Sequence, residues 1–451
     1  MNTRSDEKLG NERMLPLIFK MALPAVLAQL VNLLYGIIDR IYIGHIEGIG
    51  GEALAGVGIT TSVIILVAAF AHLVGSGGSP LAAIQLGKGN RDQASRILNN
   101  GFVMIIFFSL ICTVLPYIFM EPILKFAGAD ADTLPFAKDY LSIYLIGTVF
   151  VMISTGLNMF INCQGRPGIA MLSVVIGAVL NTALDPIFIF GFGLGVKGAA
   201  LATVISQAVS AAWVLAFLFS KKAELRLNFN DMKPSLKVIG AISALGISPF
   251  VMASTESLVG FALNGQLRTY GTTLHVASLT VMQSAMQMVS IPLAGFSQGI
   301  IPILSYNYGH GKNDRVKECF KITLAVVFTF NLVGILFMIL CPGLIGGMFT
   351  DDAGVIAIVK QYMPIFLAGM TIFGLQRTCQ NTFVSLGQAK ISLFIALLRK
   401  VLLLVPLAYL LPLWVGVVGV YAAEAIADAT AAILCTAIFA FTFSKILKAK
   451  V

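Results

Sequence analysis

The chain has 451 residues, of which 58% are hydrophobic and only 11% charged, and its mean hydropathy is +0.91; that composition belongs to a polytopic membrane protein and leaves no room for a large soluble domain. The formal net charge of +9 does not point to nucleic acid, because the basic residues are dispersed over short loops with no basic helix or stripe. Cys112, Cys163, Cys319, Cys341, Cys379 and Cys435 stand singly, without CxxC or His spacing, so they carry no metal or disulfide signal.

The opening MNTRSDEKLGNERM is polar and leads into a full-length apolar run, so no removable signal peptide is expected. Apolar runs of spanning length then follow at 15–44, 53–84, 98–120, 134–162, 168–193 and 196–220, and again at 237–266, 274–307, 319–348, 353–384, 391–413 and 416–444. Twelve transmembrane helices in an all-α fold are therefore predicted. Several runs exceed the ~20 residues a bilayer needs, which implies tilt. The polar stretch 221–236 is the natural seam: tails at 1–14 and 445–451, an N-lobe at 15–220, a linker at 221–236 and a C-lobe at 237–444 are expected.

The seam lies near mid-chain and suggests duplication. Gly77, Pro80, Gly87, Gly89 and Asp92 recur as Gly299, Pro302, Gly309, Gly311 and Asp314, each 222 residues later, and Gly165 recurs as Gly387 at that offset. Gly195 and Gly198 recur as Gly416 and Gly419 at 221, and Pro24 as Pro249 at 225. Single glycine matches mean little; a series at nearly one offset predicts two pseudo-symmetric six-helix lobes, parallel because each has an even number of spans. Lys and Arg crowd the span ends on the side of the N-terminus, among them Lys20, Lys88, Arg91, Arg96, Arg166, Lys221, Lys312 and Arg315. The other side has Lys125, Lys138, Lys197, Arg268 and Lys360, so both termini are expected to be cytoplasmic.

Against this apolar background the intramembrane polar residues are conspicuous. Asn181 and Asp185 are four apart and share a helix face, and Pro186 follows them. Counting from the outer helix ends at 1.5 Å per residue puts Asp39, Asp185 and Thr203 at one level, ~8 to 12 Å deep. Two carboxylates, an amide and a hydroxyl are a suitable oxygen set for a proton or Na+. Like charges in a low-dielectric lobe repel, so ion binding there would act as a switch, with Pro24 and Pro186 marking where helices can bend. Arg40 cannot satisfy Asp39, since adjacent residues point about 100° apart.

The second half does not copy the set. Asp39 aligns with Asn264 and Asp185-Pro186 with Val405-Pro406, while Glu256, Glu424 and Asp428 lie elsewhere and form a rival ion site or line the substrate cleft. Their bland alternative is a solvated acid beside the cleft. Arg377, Arg399 and Lys400 are expected to snorkel to the headgroups, and His72 to be a buried, hydrogen-bonded histidine. The abundant Met and Phe suit an adaptable pocket for apolar cations. GSGGSP at 75–80 lacks a GK[ST] end and reads as close helix packing.

IIDRIYIGHI after the Leu-Pro of the first span, GSGGSPLAAIQLGKGNRDQA, NCQGRPG, NTALDPIFIFGFGLGVKGAALAT and the second-half echo SQGIIPILSYNYGHGKNDR together resemble the multidrug and toxic compound extrusion (MATE) transporters, over essentially all spans. The likeness is strongest to the bacterial MepA-like group. It implies a V-shaped pair of six-helix lobes that export organic cations in exchange for H+ or Na+. It also implies a first-lobe cation site at Asp39, Asn181, Asp185 and Thr203. A second pattern uses an acid in the seventh span, which Glu256 matches, with another in the tenth, where Gln376 and Arg377 stand instead.

The expected function is thus a cation-coupled efflux antiporter of the plasma or inner membrane. Its partners would be lipophilic organic cations and lipid; it would need no cofactor beyond H+ or Na+, bind no nucleic acid and work as a monomer. A flippase or exporter of a lipid-linked or endogenous metabolite is the alternative, though anionic cargo would want basic residues lining the cleft. A membrane-bound transferase fits less well, for want of a metal-ligand cluster, a DxxD-type acidic pair or a donor-holding loop.

Overall fold

The computed structural model describes residues 6–229 and 232–448; residues 1–5 and 449–451 of the predicted tails and linker residues 230–231 lie outside them. Among the described residues the chain is helical throughout, without strands. Ten helices are long and apolar enough to span a membrane, and two bent pairs bring the number to 12. In chain order these are α1 (Met14–Gly44), α2 (Gly50–Gly87), α3 (Arg91–Ile118), α4 (Leu134–Ile146 and Thr148–Cys163), α5 (Pro167–Gly191) and α6 (Val196–Phe219). The second half has α7 (Leu236–Tyr270), α8 (Thr273–Gly309), α9 (Asn313–Leu340), α10 (Ala353–Leu367 and Gly369–Ser385), α11 (Ala389–Val415) and α12 (Val417–Lys448). α4 and α10, predicted as single runs, bend by 61° and 43° at equivalent places in the two halves. The run 319–348 breaks after Leu340, and Pro342–Phe349 forms a separate short helix.

The repeated glycines repeat in conformation too. Gly89 and Gly311 have φ of 75° and 76°, Gly165 and Gly387 73° and 71°, and Gly195 and Gly416 54° and 61°. These left-handed turns admit other residues only with strain. Gly87 and Gly309 are symmetry mates in contact as well: a Cβ at Gly87 would strike the carbonyl of Tyr306, and one at Gly309 that of Ile84. The GSGGSP segment is explained in the same way, since Gly77 lies against the backbone of Ile242 and Gly246 in α7.

The halves meet at the end that carries both termini. There α1 packs on α8 where Gly299 faces Ala22, and α2 on α7 where Gly246 faces Leu73. The seal is completed by Leu9, which is fully buried while its carbonyl accepts hydrogen bonds from Asn307 (2.9 Å) and Arg315 (3.3 Å). Lys312 donates to the carbonyl of Gly10, and Asn313 to that of Leu447. Further along, Phe70 meets Phe250 with centroids 4.9 Å apart, and Gln29 donates to Gln298 at 3.1 Å. Beyond that level Leu34, Leu258 and Met288 are exposed, so the cleft between the halves opens away from the termini.

The linker is pinned by amides rather than left loose. Asn99 holds the backbone at Arg226 and Asn228, Asn100 that at Ser235, and Gln164 those at Glu224 and Leu225. Leu225 is thereby fully buried, although the segment reads as polar.

Candidate functional site

In the first half the helices define a cavity of about 430 Å³, bounded by α1, α2, α4, α5 and α6 with Gln298 of α8. α1 contributes a polar stripe, Asn32, Tyr35 and Asp39, spaced as i, i+3, i+7. Leu34, Ile37 and Ile41 lie off this stripe and are exposed. α5 and α6 approach closely because their facing residues are small: Ser210 donates to the carbonyl of Ser173 at 2.8 Å, and Gly177 faces the Ser210 hydroxyl. One turn further along, that close approach sets Asn181 against Thr203.

Asn181 donates to Asp185 at 3.3 Å and to the Thr203 hydroxyl at 3.3 Å. Asp39 comes within hydrogen-bonding reach of Asp185 from α1. All four predicted residues are therefore in one cluster. Asp39, Asn181 and Thr203 line the cavity, whereas Asp185, with no exposed surface, stands behind them. One oxygen each of Asp39, Asn181 and Asp185 is buried without a hydrogen-bond donor. Among the described residues no base forms an ion pair with either acid; Arg40, next in sequence to Asp39, is exposed and lines the same cavity, where its charge acts on Asp39 without bonding to it. Two such charges at about 4 Å repel by about 4 kcal/mol even at an effective dielectric of about 20. The three unpartnered oxygens fit a proton or a small hard cation, which would remove the repulsion. Pro186 ends the α-helical part of α5, and Ile187–Gly191 continues it as a π-helical turn; Pro24 lies within a continuous α1.

Two neighbours escaped the sequence reading. Tyr35 sits beside both acids, and Tyr140 beside Thr203 and Asp39. Tyr35 is four residues before Asp39, so the shared helix face was the available signal. His72 departs from expectation: it lines the cavity, half-buried, with no hydrogen bond among the described residues, because its helix turns that face to open space rather than to a neighbour.

The second half corrects the sequence reading more sharply. Arg399 and Lys400 do not snorkel: they are 7% and 4% exposed. Arg399 donates to Asp428 at 2.5 Å and lies 3.5 Å from Glu424, and Lys400 lies 3.2 Å from Glu256. Glu424 and Asp428 are buried rather than solvated, while the Glu256 side chain is 59% exposed although it lies mid-helix, as it would lining a cleft. The reason is geometric. Leu398–Leu404 is a π-helical stretch inside α11, and it turns two consecutive basic residues inward toward acids on α7 and α12. Glu256, Glu424 and Asp428 are thus each beside a basic residue, unlike the acids of the first half, although one oxygen each of Glu424 and Asp428 is buried without a hydrogen-bond donor. Arg377 stays inside as well, with its guanidinium 5.6 Å from the Phe373 ring.

The comparisons with known proteins agree with this architecture. The MatE family model matches residues 24–187 and 250–410. The multidrug export protein MepA of Staphylococcus haemolyticus (strain JCSC1435) is 25% identical over 413 residues, 92% of this chain and 90% of that protein. MepA of Staphylococcus aureus (strain MRSA252) is 25% identical over 416 residues, 91% and 90% of the two chains. A structure described as the outward-facing conformation of a multidrug resistance MATE family transporter of the MOP superfamily superposes with a TM-score of 0.91 at 22% identity, over 100% of both chains. MATE in the bent conformation superposes with a TM-score of 0.91 at 23% identity, over 99% of each. The repeated bundle, the membrane-spanning helices and the family match over both halves place this multi-pass membrane protein in the MATE family, whose members are multidrug efflux transporters and not enzymes.

Proposed function

We propose that this chain is a secondary antiporter that exports lipophilic organic cations in exchange for H+ or Na+. The observation that carries the reading is the pairing of Asp39, on the wall of a cavity, with Asp185 behind it, contributed by separate helices and without an ion-paired base. An acid pair of this kind is stable empty only in part of the cycle, and the ion that neutralises it changes how α1 packs on α5. The proposed lobes, 15–220 and 237–444, rock about the contacts between α1 and α8 and between α2 and α7. The clustering of Lys and Arg supports cytoplasmic termini, so the cleft described here faces outward. A cation taken up from the cytoplasm would be released on that side while the ion passes inward. The driving energy is that of the ion gradient, ~2.3 kcal/mol per charge per 100 mV of membrane potential. The chain is taken to act as a monomer, with no cofactor beyond the coupling ion.

The test is ethidium uptake into inverted membrane vesicles under an imposed pH or sodium gradient, for the wild type and Asp39→Asn. Uptake should follow one of the two gradients and vanish in the variant. Normal pumping by Asp39→Asn would sink the assignment.

A further inference from the structure

We propose that Arg377 is a recognition point for a carboxylate group on the transported solute, so that the second half of the cleft binds the anionic end of zwitterionic amphiphiles. This rests on the export reading above and narrows its substrate class.

Four observations converge on it. First, the acids of the second half are already engaged: Asp428 and Glu424 by Arg399, and Glu256 by Lys400. Second, Arg377 has no ionic partner among the described residues. Its Nη1 makes one long hydrogen bond, 3.4 Å, to the carbonyl of Ser290 in α8, and its Nε is buried with no acceptor. A guanidinium has five donors, and a buried one such as Nε left without an acceptor is unfavourable unless an acceptor visits. Third, the group is held in place. The Phe373 ring, one turn earlier on α10, lies 5.6 Å from Arg377 and 4.2 Å from Arg399, and such contacts with an aromatic face orient a guanidinium. A planar, oriented fork matches a carboxylate in two bonds, which a lysine ammonium cannot do. Fourth, the site is reachable: Arg377 is only part-buried, and in the same half the Glu256 side chain is 59% exposed. The first half, by contrast, offers two carboxylates that no base pairs with among the described residues, with unpartnered oxygens on Asp39, Asn181 and Asp185. A solute with a cationic and a carboxylate end would find a complement in each half.

A matched pair of dyes tests this. Rhodamine 123 is the methyl ester of rhodamine 110, which has a free carboxylate; their equilibrium binding to the purified full-length protein in lipid-free micelles is read by fluorescence polarisation. In Arg377→Gln the acid should bind about tenfold or more weakly while the ester changes by less than about twofold, and Arg377→Lys should recover part of the loss. Equal loss for both dyes, an unchanged acid affinity, or a wild type that does not bind the acid would overturn the proposal. Should Arg377→Gln not fold, benzoate added to the wild type decides: it must displace the acid and spare the ester. Added phosphatidylglycerol that displaces the acid as well as benzoate does would assign the guanidinium to lipid phosphate and overturn the solute reading. Because these are binding measurements without a gradient, they can fail while Asp39→Asn still abolishes pumping, and the converse also holds.

Discussion

The two halves of this molecule share a backbone and differ in how they treat buried charge. Between α5 and α6, Gly177 and Ser210 let the helices touch, and the acids nearby are left without a base. At the equivalent place between α11 and α12, 222 residues on from Gly177, stands Arg399, bonded to Asp428 and beside Glu424. Thr203 and Gln207 correspond to Glu424 and Asp428 at an offset of 221. The first half thus holds two facing acids without an ion pair, the pair proposed above to take a mobile ion, while the second has built its counter-cations into the chain. The lesson is that the repeat preserved the close backbone contacts between the halves and divided the electrostatics.

The comparison can be broken most directly at Arg399. Arg399→Met strands two buried acids and should cost ~3–5 kcal/mol of stability, seen as a lower melting temperature in detergent. Asp185→Asn in the first half should leave the melting temperature unchanged or raised, since it removes one of two facing like charges. If both variants melt alike, the contrast between the halves is wrong. Asp185→Asn should nevertheless abolish the coupling itself, typically worth ~1–3 kcal/mol, so that ethidium distribution in proteoliposomes no longer responds to the ion gradient.

Two smaller effects would sharpen the shared part. Gly246→Leu pushes a side chain at the Leu73 carbonyl and should disfavour the state closed at the terminus end by ~1–3 kcal/mol. Spin labels at Lys88 and Lys390 would report it as a shift to longer distances. Arg315→Gln removes donors to the carbonyls of Leu9 and Glu12, a loss of ~1 kcal/mol that should speed hydrogen exchange over residues 6–12 about fivefold. The smallest change is expected at Glu121, on the exposed short helix Met120–Phe126. Hydrogen bonds and then charge from Lys125 and Lys138 hold its carboxyl down at about 2, from an ordinary 4.5. A depressed value stabilises the fold above the ordinary range, and the benefit fades as pH falls toward 2. Glu121→Gln should therefore matter little at neutral pH and not at all in high salt, a null that thermal melts at two ionic strengths would check.

Much of the first half was legible in advance because helical rise is constant. Counting residues from Gly44, Gly191 and Gly195 set Asp39, Asp185 and Thr203 at one depth, and the structure brings those side chains together with Asn181. The glycine repeat was legible for the same kind of reason, since left-handed turns and backbone contacts tolerate few residues. Arg399 and Lys400 were misread because depth along a helix says nothing of its rotation, and the π-helical stretch Leu398–Leu404 changes that rotation locally. The amides Asn99, Asn100 and Gln164 were passed over because the backbone groups they hold lie about 60 to 135 positions away.

The sequence by itself determined that the chain spans a membrane in two similar halves, because hydrophobic length and glycine spacing act locally and survive any packing. Which charges find partners was decided only by the tertiary structure. An ion pair depends on two helix faces meeting within a few ångströms, and no periodicity in a single chain records how its helices are turned toward each other.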